Sequence, residues 1–145
     1  TTTCGACIEE FPKFAALRKQ FPSEKVVLIS VNCDYDGIEG KPPSFYRADV
    51  MKFLREQHAT FENIMLDIAL IDFLDLIDLS SSPAILVYRP DGKLAKRFDN
   101  DSGEYGDEGF TYKDHIVPLI EELMAEDSDS AVPSGDRVIP NAPSR

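Results

Sequence analysis

The sequence predicts an α/β domain with helices on both faces of a largely parallel sheet. An amphipathic helical segment runs straight into the β-branched run Val26-Val27-Leu28-Ile29-Ser30-Val31. Helix-like and strand-like segments then keep alternating, which is the pattern of crossover units. Late in the chain, Pro90-Asp91-Gly92 separates two extended runs, the signal of an antiparallel hairpin. At 145 residues with 43% hydrophobic content, the chain fits one domain with an ordinary core.

From Cys4 to Phe21, Ile8, Phe11, Phe14, Ala15, Leu17 and Phe21 recur at helical spacing with charged residues between them, so one helix starts at the cysteine pair. Pro12 should bend it, because proline cannot donate to the carbonyl of Ile8. Pro22-Ser23 ends it, and the run Val26 to Val31 reads as an interior parallel strand buried on both faces. Residues 32–43 are rich in turn formers and read as a loop. Ser44 is placed to cap a second helix, with Tyr46, Val50, Phe53, Leu54 and Gln57 along one side.

Phe61 to Leu66 reads as a short strand, and Ala69 to Leu79 as a helix with aspartates 72, 75 and 78 at every third position. Ser80-Ser81-Ser82-Pro83 stops that helix before the strand Ala84 to Tyr88, which Lys93 to Phe98 should pair with antiparallel. Residues 99–109 are acidic and Gly-rich, hence a surface loop. Thr111 and Asp114 resemble a capping box, and Tyr112 to Met124 marks a final amphipathic helix with Pro118 as an irregularity. The domain is expected to span 1–125, with a disordered polar tail over 126–145.

The net charge of -11 comes without a basic cluster able to neutralise a phosphate backbone, so nucleic acid is not an expected partner. No apolar run reaches the roughly 18 to 20 residues that span a bilayer, so no membrane segment is expected within the chain.

Three cysteines are too few to staple a fold, and two of them form the segment Cys4-Gly5-Ala6-Cys7. Disulfide exchange needs an attacking thiolate and a second thiol that resolves the mixed disulfide, and this spacing puts both sulfurs in one turn at a helix start. Free amide groups and the macrodipole there favour thiolates, which at such positions form at pKa values of roughly 3.5 to 7.5. Cys4, the outer thiol, is expected to be the nucleophile and Cys7 the resolving thiol. Zinc sites use the same spacing, but tetrahedral zinc needs two further ligands. The sequence offers only Cys33, His58 and His115, none in a second paired motif.

The run Cys4-Gly5-Ala6-Cys7-Ile8-Glu9-Glu10-Phe11-Pro12 resembles the C-x-x-C-x-x-E-x-P signature of the TlpA/ResA-like branch of the thioredoxin superfamily. Val31-Asn32-Cys33-Asp34 stands where that branch ends its next strand with an Asp. Ser82-Pro83 and Pro90-Asp91-Gly92-Lys93 are similar to its cis-proline segment and hairpin. The resemblance covers about Thr3 to Met124. It implies a thioredoxin-like three-layer α/β/α sandwich and a cis Pro83 facing the disulfide, with the Ser82 backbone pairing with a bound chain. Gly5 and Ala6 would tune the redox potential, and Glu10 would support proton transfer at Cys7. The implied partners are protein dithiols or disulfides and a redox partner protein. No cofactor is implied, and family habit points to a periplasmic or membrane-anchored extracytoplasmic site.

The sequence departs from that branch in three places. Thr3 replaces the tryptophan before the first cysteine, and Ala6 replaces the proline common between the cysteines. The branch also has a central strand immediately before the cysteines, where only Thr1 to Thr3 stand, so the domain is expected to lack its first central strand and to be incomplete at its N-terminus. Three other functions stay open: a thiol peroxidase using Cys4 alone, a metal-binding module held by Cys4 and Cys7, and an interaction domain that uses neither thiol. Thr1, three before Cys4, gives a short match to the T-x-x-C of peroxiredoxins. Cys33 reads as a small core hydrophobe, and Glu10, His58 and His115 also read as ordinary surface residues.

Overall fold

Cys4 adopts an extended conformation and caps the first helix, α1 (Gly5–Gln20), its sulfur accepting from the Cys7 N–H at 3.2 Å. The helix ends where Pro22 cannot continue it: the Phe21 N–H closes on Leu17 C=O at 2.9 Å. Arg18, in the last turn, donates to the carbonyls of Phe21 and Val26, satisfying a helix-end acceptor and tying down the next segment. The computed structural model describes residues 1–99 and 101–130, and over these the chain is mixed α/β. After α1 come β1 (Ile29–Asn32), α2 (Pro43–Glu56), β2 (Glu62–Met65), α3 (Leu70–Leu76), β3 (Ile85–Tyr88) and β4 (Leu94–Phe98). A π-helical turn over Tyr112–Ile116 then runs into α4 (Val117–Ser130).

The strands form two separate ladders rather than one sheet. β1 pairs in parallel with β2, Val31 opposite Ile64, and β3 pairs antiparallel with β4, Ile85 opposite Phe98. No ladder joins β1 to β3 among the described residues. The expectation that residues 26–31 form a strand buried on both faces is therefore corrected. Val27 is 72% exposed, Ile29 44% and Val31 46%, while Leu28 is buried. With one strand neighbour, β1 buries the alternate positions only, and the β-branched run that mimics an interior strand leaves one face open.

The other elements follow local chemistry. Ser44 does not cap α2: the cap is Pro42, without a side-chain hydrogen bond, and Pro43 occupies the first helical position, where its missing N–H costs nothing. α3 stops earlier than the spacing predicts, because Asp78 sits in the left-handed region (φ 53°) and Leu79 is pulled back onto Leu74 C=O. In the β3–β4 turn, Gly92 (φ 82°) donates to Arg89 C=O at 3.0 Å, and the Asp91 carboxylate accepts from the Lys93 N–H. Thr111 Oγ1 accepts from the Asp114 N–H, as in a capping box, but the Thr111 N–H is taken by His115 Nδ1 at 2.8 Å rather than by a carboxylate. The turn that follows is widened to π geometry and ends two residues before Pro118, which cannot donate into a regular α ladder. α4 continues to Ser130, so the tail expected from residue 126 does not start there, and residues 131–145 lie outside the described residues.

The core joins both halves. Leu17 and Phe21 of the first helical segment, Leu28, Phe98 of β4, Ile116 and Ile120 form one buried cluster. Phe11 of α1 meets Phe53 of α2 edge-on at 5.0 Å, and Phe14 meets Phe61 at 5.2 Å, so α1 anchors the β1–α2–β2 unit as well. The cysteines therefore sit at the free N-terminal end of the helix that the whole core grips.

Candidate functional site

Cys4 and Cys7 are joined in a disulfide with their Cα atoms 5.2 Å apart. Three parts of the chain fix its place. α1 supplies both cysteines. Thr2 ties the entry to the helix, its N–H and Oγ1 both donating to the Asp34 carboxylate at 2.7 and 2.8 Å, just past the end of β1. Asp34 is itself held by the Asn32 side chain, so the chain before the cysteines is fastened to the C-terminal end of a strand.

The third part is the segment before β3. The Ser82–Pro83 bond is cis, and Ser82 faces the sulfurs: its carbonyl oxygen lies 3.8 Å from Cys4 Sγ and its hydroxyl 3.4 Å from Cys7 Sγ. Residues 78 positions apart in sequence thus meet at the disulfide. After reduction, a Cys4 thiol would have the Ser82 carbonyl as an acceptor and Cys7 the Ser82 hydroxyl as a hydrogen-bond partner.

The loop after β4 holds that segment in turn. The Asp101 carboxylate accepts from the N–H groups of Ser80 and Ser81 and from Ser81 Oγ, at 2.8, 3.0 and 2.7 Å. These bonds keep its carboxyl below the usual carboxylate range, the Ser81 hydroxyl contributing most. Asp99, buried at the end of β4, accepts from Arg97 Nε and from the N–H groups of Asp101 and Ser102. Arg97 also donates to the carbonyls of Ile77 and Asp78. Arg97, Asp99 and Asp101 therefore brace the residues that lead to Ser82. The sequence places Arg97 in a strand and Asp99 and Asp101 in an acidic loop, and nothing local links position 101 to positions 80–81.

The other expected residues fall differently. Gly5 and Ala6 are exposed between the cysteines, and nothing beyond the adjoining helical turn lies within 4 Å of where a Cβ on Gly5 would stand. Glu10 forms an ion pair with Lys13 at 2.6 Å one helical turn on, with no hydrogen bond to Cys7. Cys33 is a free, half-buried thiol 3.8 Å from its own Val31 carbonyl, and burial pushes its pKa up. His115 is fixed by Thr111 and stacks 4.8 Å from Tyr105, whereas His58 is exposed on the far end of α2. Among the described residues no group of three or more His, Cys, Asp or Glu side chains is arranged to hold a metal ion, and no helix is long and apolar enough to cross a membrane. No protein-family model matches the chain, and no curated protein matches it.

Proposed function

We propose that the chain is a thioredoxin-like thiol-disulfide oxidoreductase working through Cys4 and Cys7. The observation that carries the reading is the disulfide at the N-terminus of α1 lying against the Ser82 backbone of a cis Ser82–Pro83 bond. Both sulfurs lie within one turn at the helix start, the spacing that dithiol–disulfide exchange uses. The exposed Gly5-Ala6 flank leaves room for a second polypeptide to bring its own sulfurs in. In that reading Ser82 supplies backbone hydrogen bonds to the incoming chain.

The exchange balances as follows. The Cys4 thiolate attacks one sulfur of a substrate disulfide, and the Cys4–substrate bond forms as the substrate S–S bond breaks and its other sulfur leaves as a thiolate. Cys7, deprotonated, then attacks Cys4 Sγ and expels the second substrate thiolate. Two electrons and two protons end on the substrate dithiol, and Cys4–Cys7 is restored. The reverse direction starts from the disulfide with a dithiol substrate. The helix N-terminus stabilises whichever sulfur carries charge, and Cys7 N–H already points at Cys4 Sγ.

The test is a trapping experiment. The Cys7→Ser protein, reduced and mixed with a disulfide-bonded peptide, should accumulate a mixed disulfide on Cys4 visible by mass spectrometry, and the wild-type protein should release it. A wild-type protein that holds the adduct as long as the variant, or a Cys4 that forms none, rules the reading out.

A further inference from the structure

We infer that the groove between α2 and the outer edge of β2 binds an acidic polypeptide in extended form, adding it to the β1–β2 ladder as a third strand. The groove holds about 660 Å3, and no cysteine lines it. Its lining is apolar at Val50, Leu54 and Met65 and cationic at Arg47 and Arg55, with His58 beside them. Among the described residues no Asp or Glu lines it, in a chain whose net charge is -11.

Two features select the occupant. The first is the strand edge. β2 pairs only with β1 among the described residues, and Leu66 N–H donates to Asn32 C=O at 3.0 Å. By strand alternation, the N–H and C=O groups of Asn63 and Met65 therefore point the other way, into the groove side, free to pair with an added strand. Glu62 is the one charge on β2, so nothing else on the strand blocks that edge.

The second is the charge. Among the described residues the Arg47 and Arg55 side chains make no hydrogen bond or ion pair, whereas Arg18, Arg89 and Arg97 are all engaged. They stand eight positions apart on the helix, a rise of about 12 Å. Side chains at i and i+4 of an extended chain share a face and stand about 13 Å apart. A segment of the form Glu-x-Val-x-Glu would thus set one carboxylate at each guanidinium, with the valine between them against the apolar floor. Bidentate guanidinium–carboxylate pairing rewards this geometry.

Fluorescence anisotropy with labelled peptides tests it. The peptide TETVTET should bind about tenfold tighter than TKTVTKT at low salt. Of two TETVTET versions N-methylated on alternate residues, one on the threonines and one on the other positions, one should lose about tenfold, because its strand-pairing edge is blocked. Arg47→Glu together with Arg55→Glu should invert the preference between the Glu and Lys peptides. Both side chains are exposed, and the wild-type peptide comparison needs no variant. Equal affinity for the Glu and Lys peptides, no binding of TETVTET up to about 1 mM, or indifference to both methylation patterns would overturn the inference.

Discussion

Replacing Asp99 by Ala removes one buried carboxylate that accepts three hydrogen bonds, from Arg97 Nε at 2.7 Å and from the N–H groups of Asp101 and Ser102 at 3.0 Å each. A hydrogen bond to a charged group contributes about 1.5 to 3 kcal/mol. The two backbone donors belong to exposed residues and regain water, and Arg97 keeps its bonds to Ile77 and Asp78, so the low end applies to the Arg97 bond and about half of it to each backbone bond. The expected loss is about 3 kcal/mol, a large part of an ordinary stability of about 5 to 15 kcal/mol. Asp99→Asn retains an acceptor for the loop and loses mainly the charge facing Arg97, so it should cost about half as much. Urea unfolding followed by circular dichroism reads both, with a thermal midpoint drop of about 10 °C for the alanine variant. Since Asp99 orders the loop that carries Asp101, thiol exchange at Cys4 should slow in parallel. A cost under about 1 kcal/mol with unchanged exchange would refute the idea that this carboxylate braces the Ser80–Ser82 segment.

Leu17→Ala empties a site 2% exposed at the centre of the core and should cost about 2 to 5 kcal/mol in urea unfolding. Val27→Ala, at 72% exposure, should stay within about 0.5 kcal/mol; equal losses would contradict the exposure of Val27. Asp101 has a folded-state pKa below its unfolded value, so its contribution is fully present above the unfolded pKa of about 3.9 and is lost as pH falls through the lower folded value. The Ser80 and Ser81 amide resonances should accordingly titrate with a midpoint below about 3.9, and a midpoint at or above it would count against the clamp. Burial raises the Cys33 pKa and lowers its thiolate fraction, so in the reduced protein iodoacetamide at neutral pH should modify Cys33 after Cys4, read by peptide mass spectrometry; the opposite order contradicts the assignment.

Much of the element order was legible because period and punctuation agree locally. The helix at Cys4, the strand near Val31, the helix around Val50 and the hairpin at Pro90-Asp91-Gly92 all lie where hydrophobic spacing and turn residues put them. The errors share a cause. A run such as Val26 to Val31 records how apolar a strand is, and not whether a second face or edge has a neighbour to bury against. Ser44 is a good cap by type, but Pro42-Pro43 set the backbone two residues earlier. The length of α4 beyond residue 126 was hidden because the polar residues there carry no hydrophobic period. At the site, Cys4, Cys7 and Ser82 could be named from motifs, whereas Thr2–Asp34 and Asp101–Ser81 are contacts between residues far apart in sequence, with no periodic signal to announce them.

The most direct test of the central claim is the equilibrium between dithiol and disulfide at Cys4 and Cys7. Poised in dithiothreitol or glutathione buffers and quenched with an alkylating agent, the protein should show one two-electron transition, with a midpoint between about -270 and -120 mV, the span of thioredoxin-like exchangers. The lower end would mark a reductase and the upper end an oxidant. Two thiols that stay free at every poise, or a disulfide that no buffer reduces, would contradict the account.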